Sequence, residues 1–223
     1  MVSENKPLIA TVLRSGGDYK PEHVQWLHKQ LPKYFDSVCF SDVVIPGVTT
    51  IPLIHNWPGW WSKLELFRPD ITSDIFYLDL DTVITGDITQ LIETAAGKST
   101  VLCDFYHERT SMIGSGLMYI SNSDKAAIWA DFTSNPAQHM ACCKTREKWG
   151  DQGYLQHFLG HVQRWQHIAQ SQVVSYKKDV ASRGSYPKAI GNGQVPSTAK
   201  IVCFHGNPRP WQIKANWIPS VKV

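Results

Sequence analysis

The stretch Ile75-Phe76-Tyr77-Leu78-Asp79-Leu80-Asp81-Thr82-Val83-Ile84 leaves this chain few folds to choose from. Its apolar residues at 75–78 lack helical spacing and read as a strand buried on both faces, the usual state in a parallel sheet. Side chains two apart on a strand share a side, so Asp79 and Asp81 should project together near its carboxyl end. Open α/β sheets bind ligands at that end. Two carboxylates so close shift each other's pKa unless a cation sits between them. An all-oxygen pair favours magnesium, manganese or calcium over zinc. The plainer reading is a strand end with two solvated acids in a turn.

The rest of the chain predicts one mixed α/β domain over residues 1–223, with no repeat, linker or low-complexity tract. Pro7–Leu13 reads as an opening buried strand, followed by a turn-rich loop over 14–19 and a helix from Pro21 to about Leu31. Short strands are expected at 38–40, 48–53, 100–103, 116–120, 173–176 and 201–204. Trp57-Pro58-Gly59-Trp60-Trp61 reads as a loop, with Ser62 capping a helix over 63–67. Further helices are expected at 87–92, at 123–132 with Ser123 as cap, and from Asp151 to about Leu159. The tail from Asn207, rich in Pro and Trp, is expected to wrap the surface.

With 43% hydrophobic and 18% charged residues the chain is globular rather than disordered. A formal charge of +3 gives no support for a nucleic-acid partner. No apolar run approaches the length of a membrane span, and Met1–Lys6 lacks the apolar core of a secretory signal. Five cysteines without CxxC spacing point to a reducing, cytoplasmic setting.

Spacing alone leaves two enzymes open for Asp79-Leu80-Asp81-Thr82-Val83. A phosphatase of the haloacid dehalogenase kind ends a buried strand in DxD, with the first Asp as nucleophile. It normally carries the motif near the amino terminus and has a later acidic pair, which this chain lacks. The second reading is a nucleotide-sugar transferase, whose acids hold a metal on a diphosphate leaving group.

Further motifs accompany the acids in a fixed order: Trp61-Ser62-Lys63-Leu64, Gly114-Ser115-Gly116, Asp151-Gln152-Gly153 and His205-Gly206-Asn207-Pro208-Arg209-Pro210-Trp211. Together they resemble glycosyltransferase family 8, the group of glycogenin and the bacterial lipopolysaccharide galactosyltransferases. The compact FHGxPRP ending is like that of phage-type members. The resemblance implies a single GT-A (Rossmann-like) domain with a mostly parallel mixed central sheet flanked by helices. It implies a UDP-sugar donor, Mn2+ (or Mg2+) and retention of anomeric configuration; the acceptor stays open between a glycan or other small acceptor, a lipid-linked glycan and modified phage DNA. By the same resemblance Asp79, Asp81 and His205 would hold the metal. Thr11, Tyr19, Lys63, Leu80, Ser115, Gly116, Gly206 and Arg209 would bind the donor, and Asp151 and Gln152 would sit at the reacting sugar.

Three positions depart from that family's pattern. The metal-binding His stands three residues before the Gly in the family; here that place is Cys203, and His205 adjoins Gly206. Gly114 replaces an Asn, and Arg209 replaces a Lys, which keeps the charge and adds bidentate phosphate contacts. A non-catalytic descendant that binds sugar nucleotide or glycan is therefore a third reading. His157 and His161, four apart with no HExxH glutamate, read as packed or solvated. The indoles at 57–61 and the basic tail (Arg209, Trp211, Lys214, Trp217, Lys222) read first as hydrophobic anchors and second as an acceptor surface.

Overall fold

In the computed structural model, which describes residues 6–105, 112–146 and 148–220, the apolar runs become strands much as their patterning requires. Strand β1 (Leu8–Leu13) leads through a turn into helix α1 (Pro21–His28), with proline in its first turn. The helix stops three residues short of the expected Leu31. Strands β2 (Ser37–Ser41) and β3 (Thr49–Pro52) follow, then a 3-10 helix (Gly59–Phe67). Residues three apart eclipse in a 3-10 helix, which puts Trp61, Leu64 and Phe67 in one buried row. Ser62 lies inside this helix rather than capping it, and its hydroxyl donates back to the Gly59 carbonyl at 2.7 Å.

The chain continues as β4 (Ile75–Leu78), β5 (Thr82–Ile84), α2 (Thr89–Ala95), β6 (Thr100–Cys103) and β7 (Ile113–Ile120). Helices α3 (Asn122–Ser134), α4 (Pro136–Cys142) and α5 (Gly150–Leu159) come next. Ser121, not Ser123, occupies the cap position of α3. Then come β8 (Gln163–Arg164), α6 (Trp165–Ile168), β9 (Val173–Ser175) and β10 (Ile201–Cys203).

Seven strands form the central sheet in the order β3-β2-β1-β4-β7-β6-β8. Strand β4 lies at its middle, parallel to β1 (Leu8 opposite Ile75) and antiparallel to β7 (Leu78 opposite Leu117). All four of its residues are buried, and they alternate between two cores. Phe76 and Leu78 face the layer of α1, α2 and the small sheet, while Ile75 and Tyr77 face the 3-10 helix, α3 and α5. Burial on both faces was the expectation for this strand, and the two cores are its cause.

After Leu78 the chain changes sheets. Strand β5 belongs to a three-stranded sheet, β5-β10-β9, and pairs antiparallel with β10 so that Thr82 lies opposite Cys203. Asp79-Leu80-Asp81 is thus the link between two sheets and not the end of one strand. Residues that follow β10 return beside it.

Candidate functional site

Two charged clusters flank that link. The first is built on Lys63, carried by the 3-10 helix and almost wholly buried. Its Nζ lies 3.0 Å from Asp151 Oδ2, at the start of α5, and 3.2 Å from Asp79 Oδ1. The ammonium also donates to the Ser115 carbonyl (3.3 Å) and hydroxyl oxygen (3.2 Å). Ser115 Oγ in turn donates to Asp151 Oδ2 at 2.7 Å. Burial opposes the ammonium charge, but Asp151 and Asp79 outweigh it and raise the Lys63 pKa above its ordinary value. The Tyr77 hydroxyl donates to Asp79 Oδ1. Gly116 lets this acid approach closely, since a Cβ there would stand 3.0 Å from Asp79 Oδ2.

The second cluster is built on Asp81, whose side chain is 4% exposed. Arg209 pairs with Asp81 Oδ2 through one terminal nitrogen and reaches Asp18 at 3.5 Å through the other. The Gly206 N–H donates to the same Asp81 oxygen at 3.3 Å, from a backbone at φ +96° that favours glycine. The guanidinium lies 4.7 Å above the Tyr19 ring. Burial, and then the charge of Asp79, raise the Asp81 pKa, with Arg209 pulling it back. Tyr19 is raised too, by burial and by both acids. Arg209 Nε–H is buried and has no hydrogen-bond acceptor among the described residues.

Both clusters open on one cavity of about 1000 Å3. Tyr19, Lys63, Asp79, Leu80 and Asp81 line it, as do Ser115, Gly116, Asp151 and Gln152, and so do His205, Gly206 and Arg209. Thr11 stands apart. It is buried beneath α1 with its hydroxyl 2.9 Å from His28 Nε2, and its neighbours Val12 and Leu13 reach the cavity instead. Sequence patterning passes over Tyr77 as a plain core aromatic, although Asp79 follows it by two residues just past the end of β4 and accepts from its hydroxyl. It also misses Asp18, whose carboxylate steadies Arg209.

The carboxylate pair suits a hard divalent ion, because the charge of Asp79 opposes ionisation of the buried Asp81 and a cation between them would offset it. His205 is not brought to them as a third ligand. Its Nε2 is 2.6 Å from Ser175 Oγ and its ring stacks on Phe105 at 5.0 Å. Burial first, then Lys177, push its pKa down to about 4. Cys203 is buried in β10 opposite Thr82. Among the described residues no group of three or more His, Cys, Asp or Glu side chains converges as a metal site.

The indoles divide. Trp57 and Trp61 are buried against Phe132, and in the tail Trp211 stacks on His23 at 3.8 Å while Trp217 lies near Tyr176 and Phe204. These are anchors. Lys222 falls outside the described residues. His157 and His161 are exposed.

No family model and no curated protein sequence matches the chain. Its similarities are to solved structures. One is the glycosyltransferase GlyE of Streptococcus pneumoniae TIGR4, at 12% identity and a TM-score of 0.58, over 93% of this chain and 56% of that one. The chain thus spans little more than half the length of GlyE. Another is an active-site mutant of LgtC, at 14% identity and 0.54, over 92% of this chain and 89% of that one. The galactosyltransferase LgtC in complex with donor and acceptor sugar analogs matches at 12% and 0.52, with the same coverage. No helix among the described residues is long and apolar enough to cross a membrane. At these identities the likeness is one of architecture: the chain has the mixed α/β, Rossmann-like GT-A fold of glycosyltransferases.

Proposed function

We propose that this chain is a metal-dependent, retaining glycosyltransferase of the family 8 type, one GT-A domain that moves a sugar from a UDP-sugar to a glycan acceptor. The observation that carries the reading is the meeting of two charge clusters, Lys63–Asp79–Asp151 and Arg209–Asp81, across one cavity on this fold. Breaking a glycosyl–phosphate bond leaves a diphosphate of growing negative charge, so catalysis needs fixed positive charge on that side. Lys63 and Arg209 would contribute to it once a bound cation balances the acids they pair with, and Arg209 Nε–H is a buried donor able to take a phosphate oxygen. Asp79 and Asp81 would hold Mn2+ or Mg2+, an ion that when bound supplies Lewis-acid neutralisation of the leaving group.

Asp151 and Gln152 line the cavity beside Lys63 and Ser115. As the sugar becomes oxocarbenium-like, a carboxylate or amide on its face stabilises it. Lys63 and Ser115 fix the Asp151 carboxylate in one orientation for this task. Tyr19, with a raised pKa, remains a neutral donor beside Arg209 and suits the nucleotide end.

Donor turnover with and without manganese tests the reading. UDP release that requires metal is the expected result. Phosphate release from a monoester would instead identify a DxD phosphatase. Donor binding without turnover would identify a non-catalytic relative, a reading favoured by the ties of His205 to Ser175 and of Asp81 to Arg209.

A further inference from the structure

Of the nine tryptophans only two are exposed by half or more, Trp60 at 51% and Trp149 at 52%, and these two are neighbours. Their ring centroids lie 6.2 Å apart with planes at 48°, and both residues line the cavity. Each belongs to an element that also carries a charged residue of the site. Trp60 is three residues before Lys63 on the 3-10 helix, a spacing that puts both on one face. Trp149 is two residues before Asp151, at the mouth of α5. The residue between them, Gly150, sits at φ +60°, and a Cβ there would come within 2.7 Å of Trp60 Nε1. The glycine thus seats Trp60 against the backbone of α5. An antiparallel bridge from Lys144 holds Trp149.

We propose that Trp60 and Trp149 form the acceptor subsite, a wedge on which a pyranose ring of the acceptor glycan stacks. The assignment rests on the glycosyl-transfer reading above and adds the chemistry of the second substrate. The charged end of the cavity suits a diphosphate; the indole end suits the apolar C–H face of a sugar, whose polarised hydrogens meet the negative face of an aromatic ring. A volume of about 1000 Å3 lies at the upper end of small-ligand pockets, about 300–1,000 Å3, and so has room for two substrates. Rings tilted by 48° leave a wedge for a puckered chair and cannot sandwich a flat base between parallel faces. The formal charge of +3 is also small for a nucleic-acid surface.

The test needs no donor. Methyl α- and β-pyranosides of glucose, galactose and mannose are titrated to about 100 mM against indole fluorescence, well above the millimolar affinity of a weak ring contact. A single-stranded thymidine oligonucleotide is titrated in parallel. Saturable quenching by at least one pyranoside is expected, weakened roughly tenfold in Trp60→Ala and in Trp149→Ala. The control Val44→Ala, at an exposed site outside the cavity lining, should bind as wild type does. Absence of saturation by every pyranoside, equal binding by both tryptophan variants, or quenching by the oligonucleotide alone would each overturn the assignment. Failure of UDP release with pyranoside binding intact would instead overturn the transferase reading and leave a glycan site.

Discussion

Replacing Lys63 by methionine keeps most of its volume and removes its charge, which isolates the electrostatic contribution of the first cluster. At 3.0 and 3.2 Å, with an effective dielectric near 20, each carboxylate attracts the ammonium by a gross ~5 kcal/mol, against which stands the cost of burying it. Without Lys63 the buried Asp151 keeps the Ser115 hydroxyl and its place in the first turn of α5, where the helix dipole returns about 0.3–1 kcal/mol. Breaking one side of a buried pair costs about 3–5 kcal/mol, so Lys63→Met should lose about 3 kcal/mol. In a chain of this size that lowers Tm by about 6–12 °C. Asp151→Asn should cost less, about 1–2 kcal/mol, because Lys63 retains Asp79. The double variant removes both charges and should be more stable than the sum of its parts by about 2 kcal/mol. Urea unfolding at neutral pH measures all three, provided their m-values agree. A loss below about 1 kcal/mol in Lys63→Met, or strict additivity in the double variant, would refute the reasoning that this cluster is electrostatically coupled.

Asp79→Asn and Asp81→Asn should each lower metal-dependent UDP release by at least about a hundredfold while the far-UV spectrum is kept, as befits loss of leaving-group stabilisation; full activity of Asp81→Asn in metal-free buffer would oppose this. His28 gives a pH prediction. Burial, and then Lys33, push it from 6.5 down to about 4, so between these values the unfolded chain binds a proton that the folded chain refuses. Its stability contribution is full above pH 6.5 and is lost as pH falls to about 4, a total of about 3 kcal/mol. His28→Gln should flatten the acid limb of the stability curve by that amount relative to wild type; parallel limbs would count against it. Gly150→Ala should cost about 1–2 kcal/mol from its left-handed backbone alone and shift Trp60 fluorescence, readable in one urea titration.

The parts legible in the sequence are those governed by local rules. An apolar run makes β4, and Pro21 stands at the start of α1. Helix α4 has no buried residue and is held by Pro136 and by Asn135, whose side chain accepts from the Gln138 N–H at 3.2 Å, so hydrophobic periodicity cannot reveal it. Strand β8, Gln163–Arg164, is polar and two residues long and exists because β6 offers it an edge. Ser62 and Ser123 read as caps from residue type, yet the chain enters both helices earlier, at Gly59 and Asn122. The ion pairs are out of reach on other grounds. Lys63 and Asp151, like Asp81 and Arg209, meet only through tertiary packing, and nothing local encodes their contact.

The placement of the two acids follows from the change of sheet between them. Asp79 belongs to the large sheet: its N–H still bonds the Gly116 carbonyl at 2.9 Å and its carboxylate meets Lys63 and Tyr77. Asp81 belongs to the small sheet: its carbonyl accepts from the Phe204 N–H at 3.3 Å and its carboxylate meets Gly206 and Arg209. Leu80, buried at 3% exposure, pins the crossing between them. Each carboxylate therefore arrives with its own cation from a different part of the chain, and neither is left bare in the cavity. The separation of the acids is set by how two sheets pack rather than by the extension of one strand. A shift of β10 along β5 would move residues 205–209 relative to Asp81, which adjoins β5, while leaving Asp79, Lys63 and Asp151 in place. The cavity thus has two halves built from different parts of the chain and joined electrostatically where the charge of Asp79 reaches Asp81, so the Lys63 cluster is read by stability and the acid pair by turnover.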